Sequence, residues 1–204
     1  MDYRTARTCD AVAFHETGHI VFACLQGYRC EYVQLNRVMD TGIDTWTART
    51  SIDFLHDAFY VSRYIGIDAD IQFFKKLDIP ARRKSIRVGH RLSQVLLAGS
   101  VVEWLYKQNF KVESAGITDI EWIDMIKVDY ISYALSELDG NHDASLFIPK
   151  TIQQIIETIK QPEISDAIQR VAELIRVRKT LKNASLEEAL EGIAPDYQFG
   201  RKSA

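Results

Sequence analysis

The sequence predicts a mainly α protein of the α+β kind, with one small β-sheet or hairpin among its helices. Three observations carry this. Apolar residues recur at helical spacing over most of the chain. One stretch, 30–50, is rich in strand-forming residues and is split by Asp40-Thr41-Gly42. Proline occurs only at positions 80, 149, 162 and 195, which read as helix starts or stops.

The elements follow in order. Residues 6–26 read as a helix, with Ala11, Ala13, Phe14, Val21, Phe22 and Leu25 as apolar positions and Gly27 as the stop. Strand-like runs at 30–38 and 43–50 suggest a hairpin or a sheet of two to three strands. Residues 53–77 look helical and aromatic-rich. Residues 81–109 carry a strong helical pattern through Ile86, Leu92, Val95, Leu96, Val102 and Leu105. Further helices are expected at 117–137, 143–160 and 163–181, with a short one at 185–191. The stripe Ile152, Ile155, Ile156, Ile159 reads as core. The 204 residues suit one domain, 1–204, with no internal repeat.

Composition narrows the function classes. Hydrophobic residues at 47% and charged residues at 26% are ordinary for a globular protein whose core can enclose a metal site. A formal net charge of −3 gives no electrostatic case for nucleic acid. Arg82-Arg83-Lys84 and the run 176–179 read as solvated helix faces. Cys9, Cys24 and Cys30 form no CxxC pair, so neither a disulfide framework nor a cysteine-rich zinc knot is expected. No signal peptide or membrane span is expected, because the longest apolar run, 95–106, is broken by Glu103. These features together predict a cytoplasmic, reducing setting.

The chemistry is carried by His15-Glu16-Thr17-Gly18-His19. On a helix, four residues rotate about 40° and rise about 6 Å, so both imidazoles leave one face. That arrangement suits two ligands of one tetrahedral zinc. Glu16 follows the first ligand and can reach a water on the same ion, the general-base position of zinc peptidases. Residues 12–14, 17, 18, 20 and 21 are uncharged, as a buried catalytic helix requires. A third ligand is needed. The metzincin continuation asks for glycine and histidine where this chain has Phe22 and Leu25, so it is excluded. A thermolysin-like site would use a glutamate on a second helix, and Glu103 is the candidate.

The run 12–21, Val-Ala-Phe-His-Glu-Thr-Gly-His-Ile-Val, resembles the zinc helix of the FtsH-type peptidase domain. The run 96–103, Leu-Leu-Ala-Gly-Ser-Val-Val-Glu, is similar to that family's small-residue segment ending in glutamate. The run 115–120, Ala-Gly-Ile-Thr-Asp-Ile, is similar to its glycine-led approach to an aspartate ligand. The resemblance implies a helical zincin-like peptidase domain holding one Zn2+ per chain through His15, His19 and Asp119, with Glu16 as base. Glu103, Glu113, Glu121 and Asp124 are the alternatives to Asp119. The segment 31–48 is similar to the family's active-site edge strand, and 167–190 to its closing helices, which are expected over 143–191. Residues 53–80 read as a helical insertion.

The family joins this domain to a membrane anchor and an ATP-driven unfoldase. Neither is expected before a motif that begins at residue 15, and the sequence holds no GxxxxGK[ST] phosphate loop. ATP dependence and hexamer assembly are therefore not carried over. The expected partners are a peptide or unfolded protein substrate and a separate unfoldase, with a homo-oligomer allowed.

Several residues read blandly. His56, His90 and His142 are isolated, and Gly99 reads as a close-packing residue against the zinc helix. Cys9 lies about 240° around the helix from His15, which argues against a thiolate on the metal. Trp46 and Thr47 on the second strand-like run would bind an extended peptide by strand addition. The function expected is a zinc-dependent metalloendopeptidase. Its rivals are a catalytically silent metal- or peptide-binding regulatory module of the same fold, and a protease restricted to one partner.

Overall fold

A computed structural model describes residues 7–40, 43–66, 70–108, 122–140 and 142–193. Its architecture is mainly helical with a small antiparallel sheet. Helix α1 (Cys9–Leu25) is followed by β1 (Arg29–Asp40) and β2 (Ile43–Asp53). After a 3-10 turn at Leu55–Asp57 come α2 (Ala58–Ile65), α3 (Ile71–Lys75) and α4 (Ile79–Lys107). Then follow α5 (Trp122–Leu138), α6 (Ala144–Ile159), α7 (Pro162–Arg178), β3 (Thr180–Lys182) and α8 (Asn183–Ala189).

Helix α1 is the axis of the molecule. The Thr8 hydroxyl caps it by accepting from the Ala11 amide, and the left-handed Gly27 (φ +80°) turns the chain into β1. It packs against α4, α7 and the sheet, which explains its uncharged surroundings: Val12, Ala13, Ile20, Val21, Phe22 and Ala23 are all buried. A helix enclosed on several sides is apolar nearly all round rather than along one stripe.

The closest approach is between α1 and α4. A Cβ built on Gly18 would stand 2.3 Å from the Ala98 carbonyl oxygen and 2.8 Å from the Gly99 Cα. Glycine at 18 therefore lets the two backbones touch, and Ala98 and Gly99 supply the small surface opposite. Helix α4 starts with Asp78, whose carboxylate accepts from the Ala81 amide, and with Pro80 in its first turn. Its second half, from Leu92 to Leu105, is almost wholly buried.

The sheet order is β2-β1-β3, all antiparallel. β1 is central, β2 and β3 are the outer strands, and the segment 31–48 covers most of β1 and part of β2. β3 occupies residues expected to finish a helix. Lys179 takes a left-handed conformation (φ +60°), ends α7, and sends Leu181 to pair with Val33. Its ammonium group lies 2.8 Å from the Cys9 Sγ and 4.7 Å from the Trp46 ring centre. This ties the end of α7 to the start of α1 and to β2.

Two other expectations change. The single helix over 53–77 is a 3-10 turn and two short helices. Gly66 is extended at the end of α2, and Asp70 caps a new start by accepting from the Gln72 amide. Pro149 lies inside α6 rather than at a boundary. The carbonyl it leaves without a partner belongs to Ser145, which is exposed to water. Pro80 and Pro162 do open helices.

Replacing Gly18 by alanine forces α1 and α4 apart. Denaturant unfolding of the metal-free protein is expected to show a loss of about 3 kcal/mol or more. An unchanged midpoint would contradict the close approach.

Candidate metal centre

His15 and His19 leave the face of α1 that looks towards α4 and α5. Each imidazole uses one nitrogen to fix its orientation. The His15 Nδ1 lies 3.0 Å from the Glu103 Oε2, and the His19 Nδ1 lies 2.8 Å from the Val95 carbonyl oxygen. A carbonyl can only accept, so the His19 Nδ1 carries a proton. A carboxylate held below its usual range also accepts, so the same holds for the His15 Nδ1.

Both Nε2 atoms then face the same point. They stand 3.0 Å apart, and the Asp124 Oδ2 lies 3.7 Å from the first and 3.6 Å from the second. Ligands of a tetrahedral zinc with bonds of about 2.0–2.1 Å lie about 3.3 Å from one another. The triangle of two imidazole nitrogens and one carboxylate oxygen fits that size. Its three residues are the His/Cys/Asp/Glu group of the described residues whose atoms converge in this way.

Gly99 supplies the space. A Cβ there would lie 2.5 Å from the His19 Nε2 and 3.0 Å from the His15 Nε2. The glycine thus packs against α1, as expected, and it also leaves open the volume in front of both nitrogens.

The titration behaviour follows from this crowding. Burial lowers the His15 pKa, but the neighbouring carboxylates of Asp124 and Glu103 outweigh it and leave the pKa at about 9, against an ordinary 6.5. His19 is lowered by burial and by the neighbouring His15. Burial raises Glu103, while His15 and Arg7 more than reverse this and bring it to about 2. Burial also raises Asp124, and its contacts with His15 and His19 bring it below the usual range. Without metal, one proton therefore sits among the three groups, on His15. A folded pKa raised above the unfolded value stabilises most below 6.5, and that contribution is lost as pH rises through about 9.

Glu103 was the thermolysin-like candidate for third ligand. Its carboxylate instead holds the outer nitrogen of His15 and is itself held by Arg7 at 2.6 Å and Lys107 at 3.1 Å. Such a carboxylate–histidine pair fixes the ring and raises its basicity. The unbonded side of Asp124 is similarly held by Lys127, at 3.4 Å.

Asp119, Glu113 and Glu121 lie outside the described residues. Asp124 reaches the site from the first turn of α5. A sequence signal for it existed. Val128, Ile131 and Leu135 follow at +4, +7 and +11 and are all fully buried, so Asp124 heads the inward face of its helix.

Glu16, beside the first histidine, is half-buried, and its Oε2 accepts from the Thr50 hydroxyl at 2.5 Å. Thr50 belongs to the outer strand β2, which thus runs beside the candidate base. Nearer the hairpin the strand is already engaged, because the Trp46 amide donates to the Arg7 carbonyl and the Thr45 hydroxyl accepts from the Arg7 amide. The other expected bystanders lie away from the site. His90 and His142 pack around Phe147, and Cys9 meets Lys179.

Comparison with family models, with curated proteins and with solved structures returns no match.

Two results are expected. Zinc binding at pH 7 releases about one proton per ion, because His15 alone starts protonated; titration calorimetry in buffers of different ionisation enthalpy measures this. Asp124→Ala lowers zinc affinity by about 100-fold or more, while Asp119→Ala keeps it, as read by chelator competition. The reverse pattern returns the third ligand to Asp119.

Proposed function

We propose that this chain is a zinc-dependent peptidase with a helical zincin-like fold, and that the resemblance to FtsH-type peptidase domains reflects this. The observation that carries the reading is the pair of inward-facing Nε2 atoms beside Asp124, with a glutamate directly following the first histidine. His15, His19 and Asp124 would hold one zinc ion, and three protein ligands leave a fourth position for water. Zinc bound there would lower the pKa of that water to about 7 and polarise a substrate carbonyl.

The chain's own residues supply the rest. Glu16 takes the proton of the attacking water and delivers it to the leaving amine. The Thr50 hydroxyl holds the Glu16 carboxylate in place from β2. Glu103 and the Val95 carbonyl keep both imidazoles aimed inwards. An extended peptide added along the outer side of β2 would pass Thr50 and so reach Glu16. Since Arg7 already pairs with Trp46, the stretch beyond Trp46 towards Thr50 is the part that can receive it. The substrate class is an unstructured peptide or an unfolded protein segment.

Glu16→Gln tests the reading. The variant is expected to keep about one zinc per chain and to lose activity on an unstructured fluorogenic peptide library by about 10²–10⁴-fold. A zinc-loaded wild type with no activity on such peptides would leave the silent binding module in its place.

A further inference from the structure

Cys9, Cys24 and Cys30 are all free thiols, but they differ in what can reach them. Cys24 and Cys30 lie in the core, and burial pushes their pKa values up to about 11 and about 12. Buried thiols of this kind are inert towards oxidants, because the thiolate is the reacting form. Cys9 is only half-buried, at the first residue of α1, where small solutes can meet it. Its place on the helix keeps it from a metal held by His15. The fold gives it a different neighbour.

That neighbour is Lys179, whose Nζ lies 2.8 Å from the Cys9 Sγ across 170 residues of sequence. This length is ordinary for a hydrogen bond to oxygen and short for one to the larger sulfur atom. Several contacts hold the amine there. The Lys179 backbone sits in the left-handed region at φ +60°, a costly conformation for a residue with a Cβ. Its amide donates to the Ile175 carbonyl at 2.8 Å, and its carbonyl accepts from the Leu35 amide at 2.7 Å. The ammonium group also donates to the Arg176 carbonyl and lies 4.7 Å from the Trp46 ring centre. A nitrogen nucleophile is thus fixed at contact distance from the one thiol that is not in the core.

We propose that Cys9 and Lys179 form a peroxide-sensitive pair that joins covalently through an N–S bond, a sulfenamide. The Cys9 thiolate attacks one oxygen of hydrogen peroxide and breaks the O–O bond. Sulfur is oxidised to the sulfenic acid, and the other oxygen leaves as hydroxide and takes a proton from solvent. Lys179, after giving one ammonium proton to solvent, attacks that sulfur with its lone pair. The N–S bond forms, the S–O bond breaks, and the departing hydroxide takes a proton from the nitrogen. One peroxide becomes two waters, and the protein loses two hydrogens. A sulfenic acid condenses in the same way with a backbone nitrogen beside it. A small thiol reverses the link and is itself oxidised to its disulfide. The link fastens the end of α7 to the start of α1, next to Trp46 of β2. It uses none of His15, His19, Asp124 or Glu16, so the inference stands apart from the peptidase reading.

Peptide mapping of the full chain by mass spectrometry, before and after hydrogen peroxide, tests it. Peroxide is expected to join the Cys9 and Lys179 peptides of the wild type into one species. That species should be about 2 Da lighter than the two free peptides together. Trypsin should stop cutting after Lys179, and a small thiol should restore both peptides. Lys179→Arg keeps the positive charge without the primary amine. Its Cys9 should go on to the sulfinic acid, about 32 Da heavier. Cys9→Ala should leave the Lys179 peptide unchanged by peroxide. Both variants should keep the wild-type circular dichroism. Wild-type Cys9 that reaches the sulfinic acid with Lys179 unlinked overturns the proposal. So does a Cys9 that peroxide leaves reduced, or one found in a disulfide with Cys24 or Cys30.

Discussion

The two imidazole nitrogens that face each other across 3.0 Å constrain everything around them. With both Nδ1 protons committed to Glu103 and the Val95 carbonyl, the Nε2 atoms hold lone pairs aimed at one point. Two lone pairs cannot stay that close in a buried site unless a cation lies between them. In the metal-free chain that cation is a proton on His15, favoured by the negative charge of Asp124 and Glu103. A divalent metal would replace it with more charge and with the geometry the three candidate ligand atoms already have. Arg7 and Lys107 then make sense as counter-charges that keep Glu103 ionised.

That arrangement depends on two glycines. Gly18 brings α1 onto α4, and Gly99 leaves open the volume that the imidazoles face. The scaffold is thus a helix pair closed tightly enough to orient the ligands and left hollow at one position. The sheet adds the second half of the site, because β2 delivers Thr50 to Glu16 and β1 anchors the turn around Lys179. Fold and chemistry meet in α1, whose uncharged surroundings are a consequence of being enclosed while carrying three polar site residues.

Much of this was legible in the sequence, for reasons that differ by residue. The motif at 15–19 was legible because the spacing of two histidines maps onto helix geometry without any tertiary knowledge. The helices at 9–25, 79–107 and 144–159 were legible from periodicity as the expected 6–26, 81–109 and 143–160. Gly99 was legible as a packing residue, and its role in front of the nitrogens needed coordinates. β3 was not legible, because three residues with one apolar side chain carry no period, and a left-handed Lys179 has no sequence mark. The candidate for a third ligand was legible only as a set of acids. Asp119 follows from a resemblance over six residues and lies outside the described residues, whereas Asp124 follows from its place on the inward face of α5. The role of Glu103 could not be read at all, since one carboxylate in an apolar helix fits a ligand and a ligand's partner equally well. Only the distance to the outer nitrogen of His15 separates them.

The central claim is that His15, His19 and Asp124 form one zinc site. X-ray absorption at the zinc edge of the purified wild-type protein tests it most directly. The account predicts about one zinc per chain, bound by two imidazole nitrogens and by oxygen at about 2.0–2.2 Å. A sulfur neighbour at about 2.3 Å, or a chain that takes up no zinc from a zinc-replete buffer, would contradict it.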